Sequence, residues 1–277
     1  MKTETRLRHA DRLLPVLDWL MAHPDDEPDL YHLAELACLS PFHFHRVYRA
    51  MTGETVTATA QRMRLHRAAG ELETGGRSLA QVARRAGYRS AAAFGRAFTQ
   101  AYGVAPGRYR AQRARLPHPQ EPIMHIVTLE DFPGLTLATL PHRGSYESIG
   151  AVFDRLYMLA GARGLADTET VGYGVYYDDP AQAVVDALRS SAGIPVAADA
   201  DLDAVFERVV LPAGRCAVLE HVGPYSELEA AYAWLFGPWL ARSGHEPADV
   251  PVFEAYLNDP KTTPPAALLT RIYLPLA

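Results

Sequence analysis

The sequence contains little cysteine and no long apolar run. Only two of its 277 residues are cysteine, Cys38 and Cys216, and they lie far apart. They suggest no disulfide framework, which fits a reducing cytosol. No apolar segment is long enough to cross a bilayer. The charged start, MKTETRLRHADR, lacks the apolar core of a signal peptide. We therefore expect a cytoplasmic protein with no membrane partner.

Motifs for cofactors and catalysis are also missing. The sequence shows no Gly-rich phosphate loop, no Ser/His/Asp order and no Cys/His zinc spacing. We therefore expect no catalytic residue, no metal site and no cofactor.

Charge is distributed unevenly along the chain. Residues 1–116 carry 18 Lys+Arg and 11 Asp+Glu, a balance of +7, and residues 117–277 carry the remaining 9 and 21, a balance of −12. Such a split favours a nucleic-acid-binding half joined to something else, although two differently solvated surfaces would give the same totals. Three prolines in RLPHPQEPI, residues 115–123, suit a semi-stiff linker.

The first half contains a predicted helix-turn-helix. Ser40 is a suitable N-cap and Pro41 fits the first helical position, while Gly53 suits the helix end. One face of this helix is apolar at helical spacing. The opposite face carries residues suited to contacting DNA, namely Phe42, His45, Arg46 and Arg49. Simple packing is an equally good interpretation of Phe42.

A second unit of the same kind follows. Ser90 can cap a helix that runs to about Tyr102. Its outer face carries Ala91, Ala92, Gly95, Arg96 and Thr99. The 19-residue helical segment between the two units would span roughly 28 Å at helical rise. That length is close to the ~34 Å repeat of B-DNA, so one chain could place two helices in successive major grooves.

These residues carry a family resemblance. LAELACLSPFHFHRVYRAMTGETV and VARRAGYRSAAAFGRAFTQAYGVAPGRYR resemble the two helix-turn-helix units of the AraC/XylS transcription regulators. The resemblance implies base or backbone contacts from two groups, namely Phe42, His45 and Arg46 in the first unit, and Ala91, Ala92 and Arg96 in the second.

The second unit departs from many members of that family. Ala91 and Ala92 offer only methyl contact, for example to thymine, so direct readout should depend on the first unit and on Arg96. Five further arginines are interpreted as phosphate contacts or solvated charges, namely Arg49, Arg62, Arg84, Arg85 and Arg89.

The second half contains an internal duplication. HRGSYESIGAVFDRL begins at His142, and HVGPYSELEAAYAWL begins 79 positions later at His221. VGYGVYYDDP and VPVFEAYLNDP repeat in the same way. Each half reads as strand, helix, strand, strand, which predicts one sheet with paired helices and a central pseudo-twofold groove. The two histidines lack metal-ligand spacing, so a turn-stabilising role is expected for both.

The duplicated half resembles GyrI-like effector-binding domains. Its motifs are PAG at 212–214, HVGPY at 221–225, and FEAYL followed by DP within 253–260. The resulting prediction is a multidomain protein: an all-α AraC-type DNA-binding domain over 8–115, a linker over 116–122, and an α+β GyrI-like domain over 123–277.

Glu254 is the predicted centre of a ligand groove. In the strand VFEAY it shares a face with Tyr256, and a carboxylate there is costly without a partner. By the resemblance this position faces the groove. The duplication aligns it with Gly174, so the groove has a carboxylate on one side only. Further predicted lining residues are Tyr176, Tyr146, Tyr225 and Trp234. The last three are also suited to the core, which is the favoured interpretation for Trp234.

A carboxylate among tyrosines suits a lipophilic cation. A structural glutamate held by Arg271 or a backbone amide is the alternative. The arrangement as a whole implies a ligand-responsive transcription regulator, not an enzyme. Its expected partners are double-stranded DNA and a small hydrophobic effector, for which a cationic form is one option, with RNA polymerase a further candidate. Two alternatives remain open: a hydrolase of electrophilic xenobiotics, and a protein-binding module of the topoisomerase-directed type.

Overall fold

Residues 3–114 and 125–277 are described in the computed structural model, so the predicted linker, 116–122, lies outside the described residues. The chain forms two compact units, one of Met1–Ala111 with Gly150–Glu169 and one of Gln112–Ile149 with Thr170–Ala277. The predicted domain limits, 8–115 and 123–277, remain predictions. The units differ from them mainly in residues 150–169, which pack with the N-terminal helices.

The first unit is helical. Its described helices before residue 115 are α1 (Thr3–Ala22), α2 (Leu30–Leu36), α3 (Pro41–Thr52), α4 (Val56–Thr74), α5 (Leu79–Arg85), α6 (Ala91–Tyr102) and α7 (Pro106–Ala114). Helix α8 (Ile149–Arg163) follows much later in the chain. No helix of the described residues is both long and apolar enough to cross a membrane.

Side-chain caps fix the N-termini of α3 and α6. The hydroxyl of Ser40 accepts from the amide of His43, and that of Ser90 accepts from the amide of Ala93. These bonds satisfy amides that have no partner inside the helix. Helix α3 ends at Gly53 with φ of 82°, a left-handed conformation that favours glycine. The predicted caps Ser40, Ser90 and Gly53 are therefore confirmed.

Stacked aromatic rings form the core beneath α6. The rings of Phe98 and Tyr102 stack with centroids 4.3 Å apart, and Tyr109 of α7 meets Phe98 edge-on at 5.3 Å. All three side chains are buried. Because the apolar face of α6 is fixed in this way, its opposite face is directed to solvent.

The described residues of the second unit form one antiparallel sheet of eight strands. The strands are β1 (Val127–Phe132), β2 (Leu135–Arg143), β3 (Gly172–Tyr176), β4 (Arg189–Val196), β5 (Glu207–Leu211), β6 (Gly214–Val222), β7 (Val252–Tyr256) and β8 (Leu269–Pro275). Their order is β1-β6-β8-β7-β3-β4-β2-β5. Reversing this order exchanges equivalent strands of the two repeats, β7 with β3, β8 with β4, β6 with β2 and β1 with β5. A pseudo-twofold axis therefore lies between β3 and β7.

Strand β4 was predicted only as the last element of the repeated strand, helix, strand, strand pattern, and not from its own sequence. Its sequence, RSSAGIPV, is small and polar and includes a proline, all poor strand signals. Tertiary pairing overrides that preference, because β4 lies between β3 and β2 and is hydrogen-bonded to both.

The second unit also contains an irregular helix. It comprises α9 (Leu228–Trp234), a π-helical turn (Leu235–Trp239) that contains Pro238, and α10 (Leu240–Ser243). Ala231, Trp234 and Leu235 pack in one cluster with residues of β6 and β8. This packing positions the polar side of α9 near the central strands.

Candidate effector groove and DNA-reading faces

The outer face of α3 is exposed as predicted. Phe42 is 86% exposed, so packing does not account for it. His45, Arg46 and Arg49 are also exposed, whereas Phe44 and Tyr48 on the opposite face are buried. The helix therefore presents one aromatic ring and a cationic face to solvent.

The outer face of α6 is exposed as well. Ala91, Ala92 and Arg96 are exposed. A cleft of about 440 Å³ lies at the start of this helix, and its lining includes Arg84, Arg89 and Ser90. Positive side chains beside a helix N-terminus suit an anion such as a DNA phosphate.

Two of the five arginines interpreted as phosphate contacts or solvated charges form ion pairs, and only Arg62 of the two is largely buried. Arg85 pairs with Glu71 at 2.8 Å. Arg62 contacts both Glu54 and Asp154, and its side chain is only 21% exposed. Burial alone would lower the pKa of Arg62, but Asp154 and Glu54 outweigh it and hold the pKa above the usual arginine value. Neither a phosphate contact nor a freely solvated charge fits Arg62.

Glu254 lies at the pseudo-twofold axis of the sheet. In the register of β3 and β7 it faces Gly174 directly, as the duplication predicted. Glu254 is 2% exposed. One buried carboxylate therefore breaks an otherwise symmetric arrangement.

Three phenols surround that carboxylate. Tyr232 donates to Oε1 at 2.7 Å, and Tyr256 donates to Oε2 at 2.6 Å. The hydroxyls of Tyr176 and Tyr256 are 2.5 Å apart, whereas Tyr176 lies 3.4 Å from Oε2. Each phenol has one proton, so the consistent arrangement is Tyr176 donating to Tyr256 and Tyr256 donating to Glu254.

The environment disfavours negative charge at this point. Burial raises the pKa of Glu254, and the three phenols oppose that rise. Burial also raises the pKa values of Tyr176, Tyr232 and Tyr256 well above the usual value, and the Glu254 charge adds to this. In the described part of the chain no Arg or Lys lies within ion-pair distance of Glu254. The carboxylate therefore has donors but no counter-charge.

Arg271 does not hold Glu254, contrary to one predicted alternative. It pairs with Glu130, lies 3.9 Å from Glu220, and has its guanidinium 5.5 Å from the ring centroid of Tyr273. The structural alternative that remains is the hydrogen bonding of Glu254 by the phenols themselves.

The other predicted tyrosines form symmetric pairs. Tyr146 meets Tyr176 edge-on at 4.8 Å, and Tyr225 meets Tyr256 edge-on at 5.3 Å. Each lies in the 3₁₀ turn before a helix, Tyr146–Ser148 or Tyr225–Glu227. The result is an aromatic wall on both sides of the axis.

Trp234 is placed differently from these tyrosines. It is 8% exposed and packs in the cluster of Leu219 and Ile272. The two histidines also have structural neighbours, since Nε2 of His142 lies 3.0 Å from the carbonyl of Ser145 and that of His221 lies 3.4 Å from the carbonyl of Pro224. The expected turn-stabilising role of both histidines is confirmed.

Sequence reasoning missed Tyr232. The signal was present in the duplication, because Tyr232 corresponds to Phe153 in the first repeat. The repeat that carries the extra hydroxyl is also the one that carries Glu254. The Tyr232 hydroxyl and the Glu254 carboxylate that it binds are both missing at the equivalent positions of the first repeat, so this asymmetry was a usable signal.

Gly174 leaves room for the phenol pair. A Cβ at this position would lie 2.8 Å from the hydroxyls of both Tyr176 and Tyr256. Because these hydroxyls would have to shift, the absence of a side chain is what allows them to converge beside Glu254.

The comparisons with known proteins agree with this architecture. A family model described as GyrI-like small molecule binding domain matches residues 125–277, more than half of the chain. A helix-turn-helix domain model matches residues 33–112.

Similar proteins cover both halves. The probable transcriptional regulator YgiV of Escherichia coli strain K12 is 30% identical over 156 residues, which are 54% of this chain and 96% of that protein. The regulatory protein SoxS of Salmonella typhimurium strain LT2 is 27% identical over 104 residues, 38% of this chain and 97% of that protein. A solved structure of an EcmrR-DNA complex in EcmrR-RPo is 14% identical and covers 88% of this chain and 84% of that one, with a TM-score of 0.48.

The matching models describe a DNA-binding fold and a ligand-binding fold, and the similar proteins are named as regulators, not as hydrolases. The chain therefore belongs to the GyrI-like small-molecule-binding family and is a DNA-binding transcription regulator with an AraC-type helix-turn-helix domain.

Proposed function

We propose that this regulator responds to a lipophilic aromatic cation bound at Glu254. The observation that carries the proposal is a buried carboxylate that accepts from two phenols, with a third phenol bonded to one of them, and has no cationic partner in the described residues. A buried carboxylate without a counter-charge is costly, so a cation gains more here than at an exposed glutamate.

The surrounding rings favour the same ligand class. Tyr146 and Tyr225 stand edge-on to the tyrosines beside the carboxylate, and their faces can attract a cation by a further 0.5–2 kcal/mol or so. Because Glu254 is 2% exposed, a ligand reaches it only when at least one phenol moves aside. A cation compensates for the displaced donor by its charge, whereas a neutral molecule without a hydrogen-bond donor does not.

On the DNA side, the proposed contacts are the exposed outer faces of α3 and α6. Arg46 and Arg96 read guanine edges, and Phe42, His45, Arg49, Ala91 and Ala92 lie on the same two faces. The exposure of each of these residues supports the assignment, and so does the positive balance of residues 1–116.

Calorimetric titration of the full chain tests the effector proposal. The probes are benzyltrimethylammonium and neopentylbenzene, which differ only in that a quaternary carbon replaces the charged nitrogen. In Glu254→Gln, affinity for the cation should fall by about 2–5 kcal/mol if the pair is buried. Affinity for the neutral probe should stay nearly constant, because the aromatic contacts remain.

Tyr232→Phe is the matched control. It keeps the ring and removes one donor to the same carboxylate, so affinity for the cation should not fall. The proposal fails if Glu254→Gln weakens both probes equally or weakens neither, because Glu254 would then serve the fold alone.

A further inference from the structure

Helix α8 belongs to the duplicated half by sequence but to the first unit by packing. It follows β2 as α9 follows β6, yet residues 150–169 form a compact unit with the N-terminal helices. Its buried positions lie on nearly all sides and include Val152, Asp154 and Leu156. A helix of the ligand-binding family segment is therefore built into the unit that carries the DNA-reading helices.

A buried charge cluster holds α8 in that unit. Nη2 of Arg62 lies 3.1 Å and 3.0 Å from the two carboxylate oxygens of Asp154. The same nitrogen contacts Glu54 at 2.5 Å. Asp154 is 8% exposed and the Glu54 side chain is 12% exposed. In this cluster two carboxylates share one guanidinium.

Further hydrogen bonds join the cluster to α3. This helix and α6, the two proposed to contact DNA, are called the first and second reading helices. Thr59 on α4 donates to Glu54 at 2.9 Å, and the hydroxyl of Tyr48 on α3 donates to Thr59 at 2.9 Å. Tyr48 and Thr59 are both 1% exposed. A continuous polar chain thus joins Asp154 on α8 to the buried face of α3, whose other face carries Arg46.

The second repeat lacks this feature. The residue of α9 that corresponds to Asp154 is Ala233, which is exposed. The two helices are equivalent in the duplication, so the carboxylate is specific to the copy that packs with the DNA-reading unit. A general need of the fold would not produce this difference.

The cluster can release α8 without leaving a lone buried charge. If Asp154 withdraws to water, Arg62 and Glu54 remain as a one-to-one pair. A buried ion pair that keeps both members avoids the cost of an uncompensated charge. The charge cluster itself therefore does not oppose a small shift of α8 between two positions, which is what a two-state element requires.

The groove is joined to this helix by the chain itself. Tyr146, whose ring meets Tyr176, lies in the 3₁₀ turn that ends where α8 begins. A ligand that moved this ring would therefore act three residues before the first turn of α8.

We propose that Asp154 is a positioning residue that links effector binding to the first reading helix through Arg62, Glu54, Thr59 and Tyr48. This inference rests on the proposed function for its effector, while its structural part stands without one. Ligand-induced movement of α8 changes the hold of Asp154 on the cluster and, through the polar chain, the position of α3.

The test compares Asp154→Asn with Asp18→Asn in the full chain. Asp18 pairs with Arg155 of α8 at 3.3 Å, but both side chains are more than a third exposed, so this variant removes a tie to the same helix without touching the cluster. In Asp154→Asn, amide hydrogen exchange at the end of α3 should rise about fivefold or more relative to both wild type and Asp18→Asn. The ratio of DNA dissociation constants with and without benzyltrimethylammonium should move toward one, while calorimetric affinity for the cation stays unchanged.

Two further variants keep the outcome decisive. Asp154→Glu retains the charge and should restore most of the ratio. Tyr48→Phe removes one hydroxyl at the far end of the polar chain and should move the ratio toward one as Asp154→Asn does, and it replaces Asp154→Asn if that variant does not fold. Unchanged exchange in α3 overturns the proposal, and so does changed exchange with an unchanged ratio. A wild-type ratio of one would instead contradict the effector assignment, and the exchange measurement would still decide whether Asp154 positions α3.

Discussion

At the scale of residues, one carboxylate distinguishes the two repeats. The alternation of VFEAY and the duplication were enough to predict that Glu254 is buried opposite Gly174. They could not predict its bond to Tyr232, because that tyrosine lies on a helix 22 positions away and no local pattern joins the two. Periodicity predicts the face on which a side chain lies, but not which partner from another element reaches it.

The raised pKa of Glu254 gives a pH dependence with a defined sign. Burial raises the pKa of this carboxyl above its value in the unfolded chain, so the folded state retains the proton to higher pH. The resulting stabilisation is present below the unfolded pKa, about 4.3, and is lost as pH rises through the folded pKa. The free energy of unfolding of wild type should therefore fall relative to that of Glu254→Gln as pH rises through this window.

Urea unfolding at a series of pH values measures this difference. In a Trp19→Phe background the remaining tryptophans, Trp234 and Trp239, report the second unit. Glu229→Gln, at an exposed glutamate of α9, is the control for changing a surface carboxylate. A difference between wild type and Glu254→Gln that is constant across the pH series would show that ionisation of Glu254 is not opposed by burial.

At the scale of elements, local signals predicted the helices better than the strands. Ser40 and Ser90 cap helix starts by accepting hydrogen bonds from amides three residues further along the chain. Such local contacts can be predicted from the sequence alone. Strand β4 depends on two neighbouring strands and has little local preference of its own. The burial of Arg62 depends on Asp154, 92 positions away, so its exposure was wrongly expected.

The two reading helices make a testable claim about DNA. Arg46→Ala and Arg96→Ala should each weaken specific binding by about 1–3 kcal/mol and relax base discrimination, because both side chains are exposed on the faces proposed to contact DNA and arginine is suited to guanine edges. Gel-shift titrations with specific and scrambled duplexes at fixed salt measure both effects.

Arg77→Ala is the matched control for this pair. Arg77 is an exposed arginine in the turn before α5 and belongs to neither α3 nor α6. Operator affinity that is unchanged in both Arg46→Ala and Arg96→Ala would rule out a two-helix mode of recognition.

At the scale of the whole molecule, charge and motifs predicted two functional halves. They did not predict that residues 150–169 would pack with the first unit. The apolar pattern of α8 reports that the helix is buried but not which surface buries it. In that pattern Asp154 resembles any polar residue of a helix. Only the folded structure shows that it contacts Arg62 in the unit that contains α3 and α6.

Linkage between effector and DNA is the central claim, and one measurement tests it most directly. Fluorescence anisotropy of the full chain with a duplex selected from a random pool, at fixed salt, gives the DNA dissociation constant with and without benzyltrimethylammonium. We expect the DNA dissociation constant to change about 5- to 150-fold with the cation and little with neopentylbenzene, and affinity for the cation to change by the same factor when DNA is added. An unchanged DNA dissociation constant at saturating cation, or an equal change with the neutral probe, would contradict it.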